Sequence, residues 1–236
     1  MITFKQFINE TDHELADDLR PGHRYPTFAE AFNDSCKPFM TQSQGAGLLF
    51  RGAENFGELM GRLELFNSDG ERFNYYKKAV RKDRRPMSTK GPVHKLIDDW
   101  FEEEMGMRAR SQAVFCYGNK AKYTAASYGR PSVIIPIGKF IYCWSPKVVD
   151  LYDFIVDRLE NSTGGVKKHL LGSDGKPDPE LVNDEMKVLK YTMNNFDEAL
   201  QSSSEIMIEV DEYFSIPCRT MADVDILTEA FRDARK

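Results

Sequence analysis

Short apolar runs, each stopped by a polar or glycine-containing segment, constrain this chain more than any other feature. Gly47-Leu48-Leu49-Phe50, Ala113 to Tyr117, Ser132 to Ile137, Phe140 to Trp144, Glu205 to Val210 and Tyr213 to Ile216 each have the length and composition of a strand. Helical patterns lie between them. The clearest opens at Pro92, where Val93, Leu96, Ile97, Trp100, Phe101 and Met105 recur at helical spacing. Asp98, Asp99, Glu102 and Glu103 fill the opposite face, and Gly106 closes the helix. Further helices are predicted over Phe28 to Asn33, Phe56 to Phe66, Pro146 to Leu159, Pro179 to Leu200 and Met221 to Ala234. Gly138-Lys139 predicts a tight hairpin joining Ser132–Ile137 to Phe140–Trp144. Strands mixed irregularly with segregated helices predict an α+β fold.

The 236 residues suffice for one sizeable domain, and 16 Phe with 10 Tyr supply its core. A net charge of -5 argues against a general nucleic-acid binder, which presents a basic excess. The one basic cluster, Arg81 to Arg85, reads as a solvated face of the charged segment Glu71 to Lys90. Cys36, Cys116, Cys143 and Cys218 are scattered and stand apart from the histidines, so no zinc site is expected and a reducing cytoplasm fits. No apolar run approaches the ~18 residues of a membrane span. The N-terminus lacks a secretory hydrophobic region. Asn161 to Pro179, rich in Gly, Ser, Pro and Lys, is expected to be a mobile loop or substrate-facing flap.

Three separated segments place a polar group where a core would not want one. In Leu48-Leu49-Phe50-Arg51-Gly52 an Arg closes a buried strand, offering a rigid fork of donors to phosphate or carboxylate, and Gly52 lets a ligand approach the backbone. Ala113 to Asn119 leads into Lys120 to Gly129, a short Ala/Tyr-rich helix whose rings suit stacking on a nicotinamide or a base. In Ser202-Ser203-Ser204-Glu205-Ile206-Met207-Ile208 a carboxylate sits between a polar loop and an apolar strand, held rigidly and facing a pocket. Individually, each reads as well as a salt-bridged Arg, core tyrosines and an edge Glu.

In combination they resemble the ADP-ribosyltransferase superfamily. Leu49-Phe50-Arg51-Gly52 is similar to its first-strand Arg motif, and Ser204-Glu205-Ile206-Met207-Ile208 to its late catalytic Glu motif. Phe115, Lys120, Ala121 and Tyr123 echo the middle segment of the poly(ADP-ribose) polymerase style. The resemblance spans about residues 47–216 and implies a split, mixed β-sheet with flanking helices that grips NAD, the substrate, in its central cleft. It implies that Glu205 is catalytic, that Arg51 and Gly52 bind the diphosphate, and that Tyr123 or Tyr128 stacks on nicotinamide. Two departures stand out: Cys116-Tyr117-Gly118 replaces the usual Ser-Thr-Ser, and Ser203 replaces the Glu or Gln two residues before the catalytic Glu.

Met1 to Glu10 forms an amphipathic segment, with Phe4, Phe7 and Ile8 on one face. It resembles the capsid-targeting leader of internal head proteins in T-even-like phages, in which a protease cuts after an apolar-x-Glu tripeptide such as Ile8-Asn9-Glu10. The expected organisation is a leader over 1–10, an irregular or helical segment over 11–46, and an ADP-ribosyltransferase-like domain over 47–236. The expected activity is NAD-dependent mono-ADP-ribosylation of a host protein or nucleic acid, in the host cytoplasm, by a protein packaged in the virion with head components. The alternatives are a non-catalytic virion protein retaining the fold, and a metal-dependent nuclease sharing only the strand ends.

Overall fold

The computed structural model describes residues 32, 35–53, 55–64, 72–82, 91–159 and 170–233. The expected leader, most of the 11–46 segment, Arg84, Arg85 and the first part of the 161–179 loop lie outside them. The described elements run α1 (Lys37–Gln42), β1 (Leu49–Ala53), β2 (Glu58–Glu64), β3 (Arg72–Ala79), α2 (Gly91–Met105), β4 (Ala113–Tyr117), α3 (Lys122–Ser127) and β5 (Arg130–Ile137). The second half continues with β6 (Ile141–Trp144), α4 (Leu151–Leu159), α5 (Pro179–Val188), α6 (Phe196–Gln201), β7 (Glu205–Glu209), β8 (Glu212–Pro217) and α7 (Met221–Asp233). The class is α+β.

The eight strands form one sheet in the order β2-β3-β8-β5-β1-β4-β7-β6. It is not mixed: every ladder is antiparallel. Strand direction depends on how each connection returns the chain, which the apolar runs do not encode. One junction is unlike the rest. The β1/β5 and β4/β7 ladders each pair five residues, whereas β1 and β4 meet at the single pair Phe50↔Tyr117. The sheet therefore consists of a five-stranded and a three-stranded part hinged on one row of residues.

Two cores flank it. Alternation along β4 and β7 sends Val114, Cys116, Ile206 and Ile208 into a core with Phe39, Phe196, Leu227 and Phe231 from α1, α6 and α7. The opposite face sends Ala113 and Met207 into a second core with Ile97, Phe101, Leu151 and Val182 from α2, α4 and α5. Burial on both faces explains why these strands read as unbroken apolar runs. The first core also takes in Phe32, Cys36 and Phe39, upstream of residue 47. All four cysteines are buried free thiols.

Several local expectations are corrected. The expected helix from Phe56 is a strand as far as it is described: Glu58–Glu64 pairs with β3, and a bulge between Leu59 and Gly61 breaks the two-residue period, so the apolar spacing mimics a helix. The charged segment from Glu71 contributes β3, an interior strand with Phe73 buried and Lys77 paired to Glu212 at 2.8 Å. Gly138-Lys139 is no hairpin turn. Gly138 has the left-handed φ of 73° that a turn favours, but both edges of β5 are taken by β1 and β8, and β6 pairs with β7. The Pro146 helix begins only at Leu151, because the Asp150 side chain accepts from Tyr152 N (2.8 Å) and caps it. The Pro179–Leu200 helix is interrupted at 189–195. There Lys190 and Asn195 take left-handed φ of 55° and 59°, Thr192 pairs with Trp144, and Trp144 Nε1 donates to Asn194 O at 2.9 Å. Part of the expected flap is ordered, with Leu171 bridged to Pro177.

Gly118, just after β4, lets the chain turn against α6; a Cβ there would lie 2.4 Å from the Leu200 carbonyl oxygen. Gly118→Ala should lower the urea midpoint by an amount equivalent to about 1–3 kcal/mol with an unchanged m value. Gly91→Ala, where an added Cβ meets nothing within 4 Å, serves as the control. Equal midpoints for the two variants would contradict this packing.

Candidate functional site

The site grows from the row that joins the two parts of the sheet. Phe50 of β1 pairs with Tyr117 of β4, and Tyr117 pairs with Glu205 of β7. The three sequence segments singled out for their polar residues thus meet side by side. Strand β1 continues through Arg51 to Ala53 rather than ending at Arg51, because Gly52 and Ala53 still pair with Pro131 and Arg130. Arg51, half-buried, lies just past the joining row, and its Nη1 donates to the Phe115 carbonyl of β4 at 3.4 Å. By strand alternation its side chain leaves β1 out of step with the Phe50–Tyr117–Glu205 row.

Glu205 is buried, at 6% exposure, on the face of β7 that carries Met207. Its backbone N donates to Val149 O at 2.7 Å, which draws the start of α4 over the strand. Its Oε2 then lies 3.5 Å from Leu151 N in the first turn of α4, where the helix dipole favours a negative charge. Asp150 caps the same helix, and its Oδ2 accepts from both Tyr117 Oη (2.7 Å) and Tyr128 Oη (2.9 Å). The two tyrosine rings are parallel within 7°, with centroids 6.3 Å apart.

Burial pushes the Tyr117 phenol well above its ordinary range, and the charges of Glu205 and Asp150 add to the effect. Tyr128 is pushed up to about 12, by desolvation first and by its bond to Asp150 next. Both phenols stay protonated at neutral pH, as donors to the carboxylate. Two carboxylates and two aromatic rings gathered at one place favour a positively charged, planar group beside them. Tyr128, 56% exposed, is the outward member of this cluster.

The expected residues fare differently. Glu205 and Tyr128 are brought together through Asp150 and Tyr117, and Arg51 stands at the neighbouring junction. Tyr123 is not brought in. It is 64% exposed at the other end of α3, beside Lys122, which pairs with Asp225 of α7. The backbone approaching Gly52 is the chain's own: a Cβ there would lie 2.3 Å from Ala125 O and 2.6 Å from Tyr128 C. Gly52 therefore seats the end of α3 and so positions Tyr128. Sequence reasoning missed Tyr117 and Asp150. The cap signal of an Asp preceding Leu151 could have found Asp150, but placing the helix start at Pro146 hid it. Tyr117 carried no signal beyond standing where a threonine was expected.

Among the described residues no group of three or more His, Cys, Asp or Glu is arranged to hold a metal, and no helix is long and apolar enough to cross a membrane. No family model, curated protein or solved structure matches the chain.

A raised phenol pKa stabilises the fold below the unfolded value near ~10, and that contribution is lost as pH rises toward the folded value. Tyr128 should titrate near 12 in ultraviolet difference spectra. Tyr128→Phe should flatten the fall of stability between the two values, and Asp150→Asn should lower the Tyr128 midpoint. A Tyr128 midpoint at its ordinary value would contradict the bond to Asp150.

Proposed function

We propose that the chain is a mono-ADP-ribosyltransferase that cleaves NAD and transfers ADP-ribose to a host protein or nucleic acid during phage infection. The observation that carries this reading is the Phe50–Tyr117–Glu205 row. It sets the Arg, aromatic and Glu segments against one another at the place where the sheet comes apart, as the resemblance to ADP-ribosyltransferases requires of a split sheet. The leader-like Met1 to Glu10 supports packaging in the virion and delivery into the host cytoplasm.

The chemistry suits the cluster. Cleavage breaks the bond from the ribose C1′ to the nicotinamide nitrogen; the bonding pair leaves with nicotinamide, and C1′ becomes oxocarbenium-like. Nicotinamide in NAD is a flat cation, suited to the ring of Tyr128 and the neighbouring carboxylates. Glu205, fixed by the start of α4, stabilises the positive charge developing on the sugar and accepts the 2′-hydroxyl proton in a hydrogen bond. Arg51 takes the diphosphate with charge-assisted bonds in exchange for its long contact to the Phe115 carbonyl. An acceptor oxygen or nitrogen then bonds to C1′ and gives up its proton to water. Ser203, where arginine- and asparagine-modifying relatives carry Glu or Gln, leaves the acceptor's identity open.

A second reading draws on one specific observation. Glu205 is nearly fully buried and its carboxylate already faces a helix N-terminus, which suits a module that retains the fold without catalysis.

Incubation with labelled NAD and host lysate separates the two. Wild-type protein should transfer label, and Glu205→Gln should lower the rate about 10²–10³-fold while NAD binding persists. Arg51→Lys should chiefly raise KM, because it loses the fork but keeps the charge. No transfer by wild-type protein that binds NAD would favour the non-catalytic module. No NAD binding at all would reject both the substrate and the site.

A further inference from the structure

Among the described residues, Arg110 is a buried cation that the site has not used. It is 7% exposed, yet no carboxylate among the described residues pairs with its guanidinium. Its neighbour Arg108 takes the nearby acids Asp98, Asp99 and Glu102. Asp98 instead accepts from the Arg110 backbone N at 2.9 Å and from the Ser111 hydroxyl at 2.5 Å, which pins the turn but leaves the Arg110 side chain unpaired. The Arg110 Nε is buried without a hydrogen-bond partner. A buried guanidinium with an orphaned donor is costly to keep, and the cost disappears when an anion takes the fork.

Its position says which anion. The guanidinium carbon lies 4.9 Å over the Phe115 ring, so it rests on the face of β4 that also carries Tyr117, two residues on. Arg51 meets the same Phe115 from its carbonyl side. The phenol of partly buried Tyr191 feels the charges of Glu205, Arg110 and Asp150. Those carboxylates are committed, Glu205 to the start of α4 and Asp150 to the two tyrosines. A ligand carrying adjacent phosphates beside two buried acids needs a cation to offset their repulsion, and a second guanidinium on Phe115 supplies it.

We infer that Arg110 is an anion-binding residue that takes a phosphate of the ligand on the face of β4 that carries Tyr117. The inference rests on the reading of this site as one for a dinucleotide. Its test uses the full chain, with inorganic pyrophosphate and NAD as separate probes. Pyrophosphate should bind wild-type protein in calorimetry and shift the ¹⁵N-detected Arg110 Nε–H resonance, assigned as the signal missing from R110K. R110K keeps the charge but loses the fork, and should bind pyrophosphate about ten- to a hundredfold more weakly, with a native circular dichroism spectrum. An unmoved Nε–H signal, no pyrophosphate binding to wild type, or equal binding by R110K would overturn the inference. NAD bound tightly and equally by wild type and R110K would overturn it while leaving the dinucleotide reading intact. Pyrophosphate binding that depends on Arg110, with NAD binding no tighter than pyrophosphate, would uphold the anion site and remove the dinucleotide.

Discussion

A single paired row, Phe50 to Tyr117 to Glu205, joins the two parts of the sheet, and the candidate site is arranged around it. On one side five strands share long ladders; on the other β4, β7 and β6 do the same. At the row itself the backbone contributes little pairing, so the join depends on side chains packed above and below. Polar groups can stand there because neighbouring β1 and β4 do not consume each other's edges as an ordinary ladder would.

The surrounding helices bring the candidate side chains to that junction. Helix α4 is drawn onto the end of β7 by the bond from Glu205 N to Val149 O, and this contact carries Asp150 to the two tyrosines. Helix α3 is seated on β1 because Gly52 has no Cβ, and its end delivers Tyr128. Gly118 does the same for the turn after Tyr117 against α6. Two glycines and one backbone bond thus fix the relative places of an acid pair and an aromatic pair drawn from distant parts of the chain.

How much of this was legible follows from where the information sits. Strands β4 and β7 were readable because both faces are buried and the apolar run is continuous. Strands β2 and β3 were not: a bulge near Met60 destroys one period, and Lys77, Lys78 and Arg72 disguise the other as a surface segment. The hairpin at Gly138 failed for a different reason, since local turn chemistry says nothing about edges already occupied. Arg51, Tyr128 and Glu205 could be picked out as polar groups beside apolar runs. Tyr117 and Arg110 could not, because their significance lies in a partner 33 residues away or in the lack of a partner; Asp150 was legible as a helix cap but not as the acceptor of two tyrosines. Strand direction and the single-pair junction are likewise properties of the assembled sheet.

The central claim is that a dinucleotide lies across this junction, with its flat cation on the tyrosines and its phosphates toward β1. A crystal structure of Glu205→Gln bound to intact NAD tests it most directly. The account predicts the nicotinamide ring parallel to Tyr128 and the diphosphate within hydrogen-bond reach of Arg51. NAD bound elsewhere on the surface, or a junction that stays closed with Arg51 still on the Phe115 carbonyl, would contradict it.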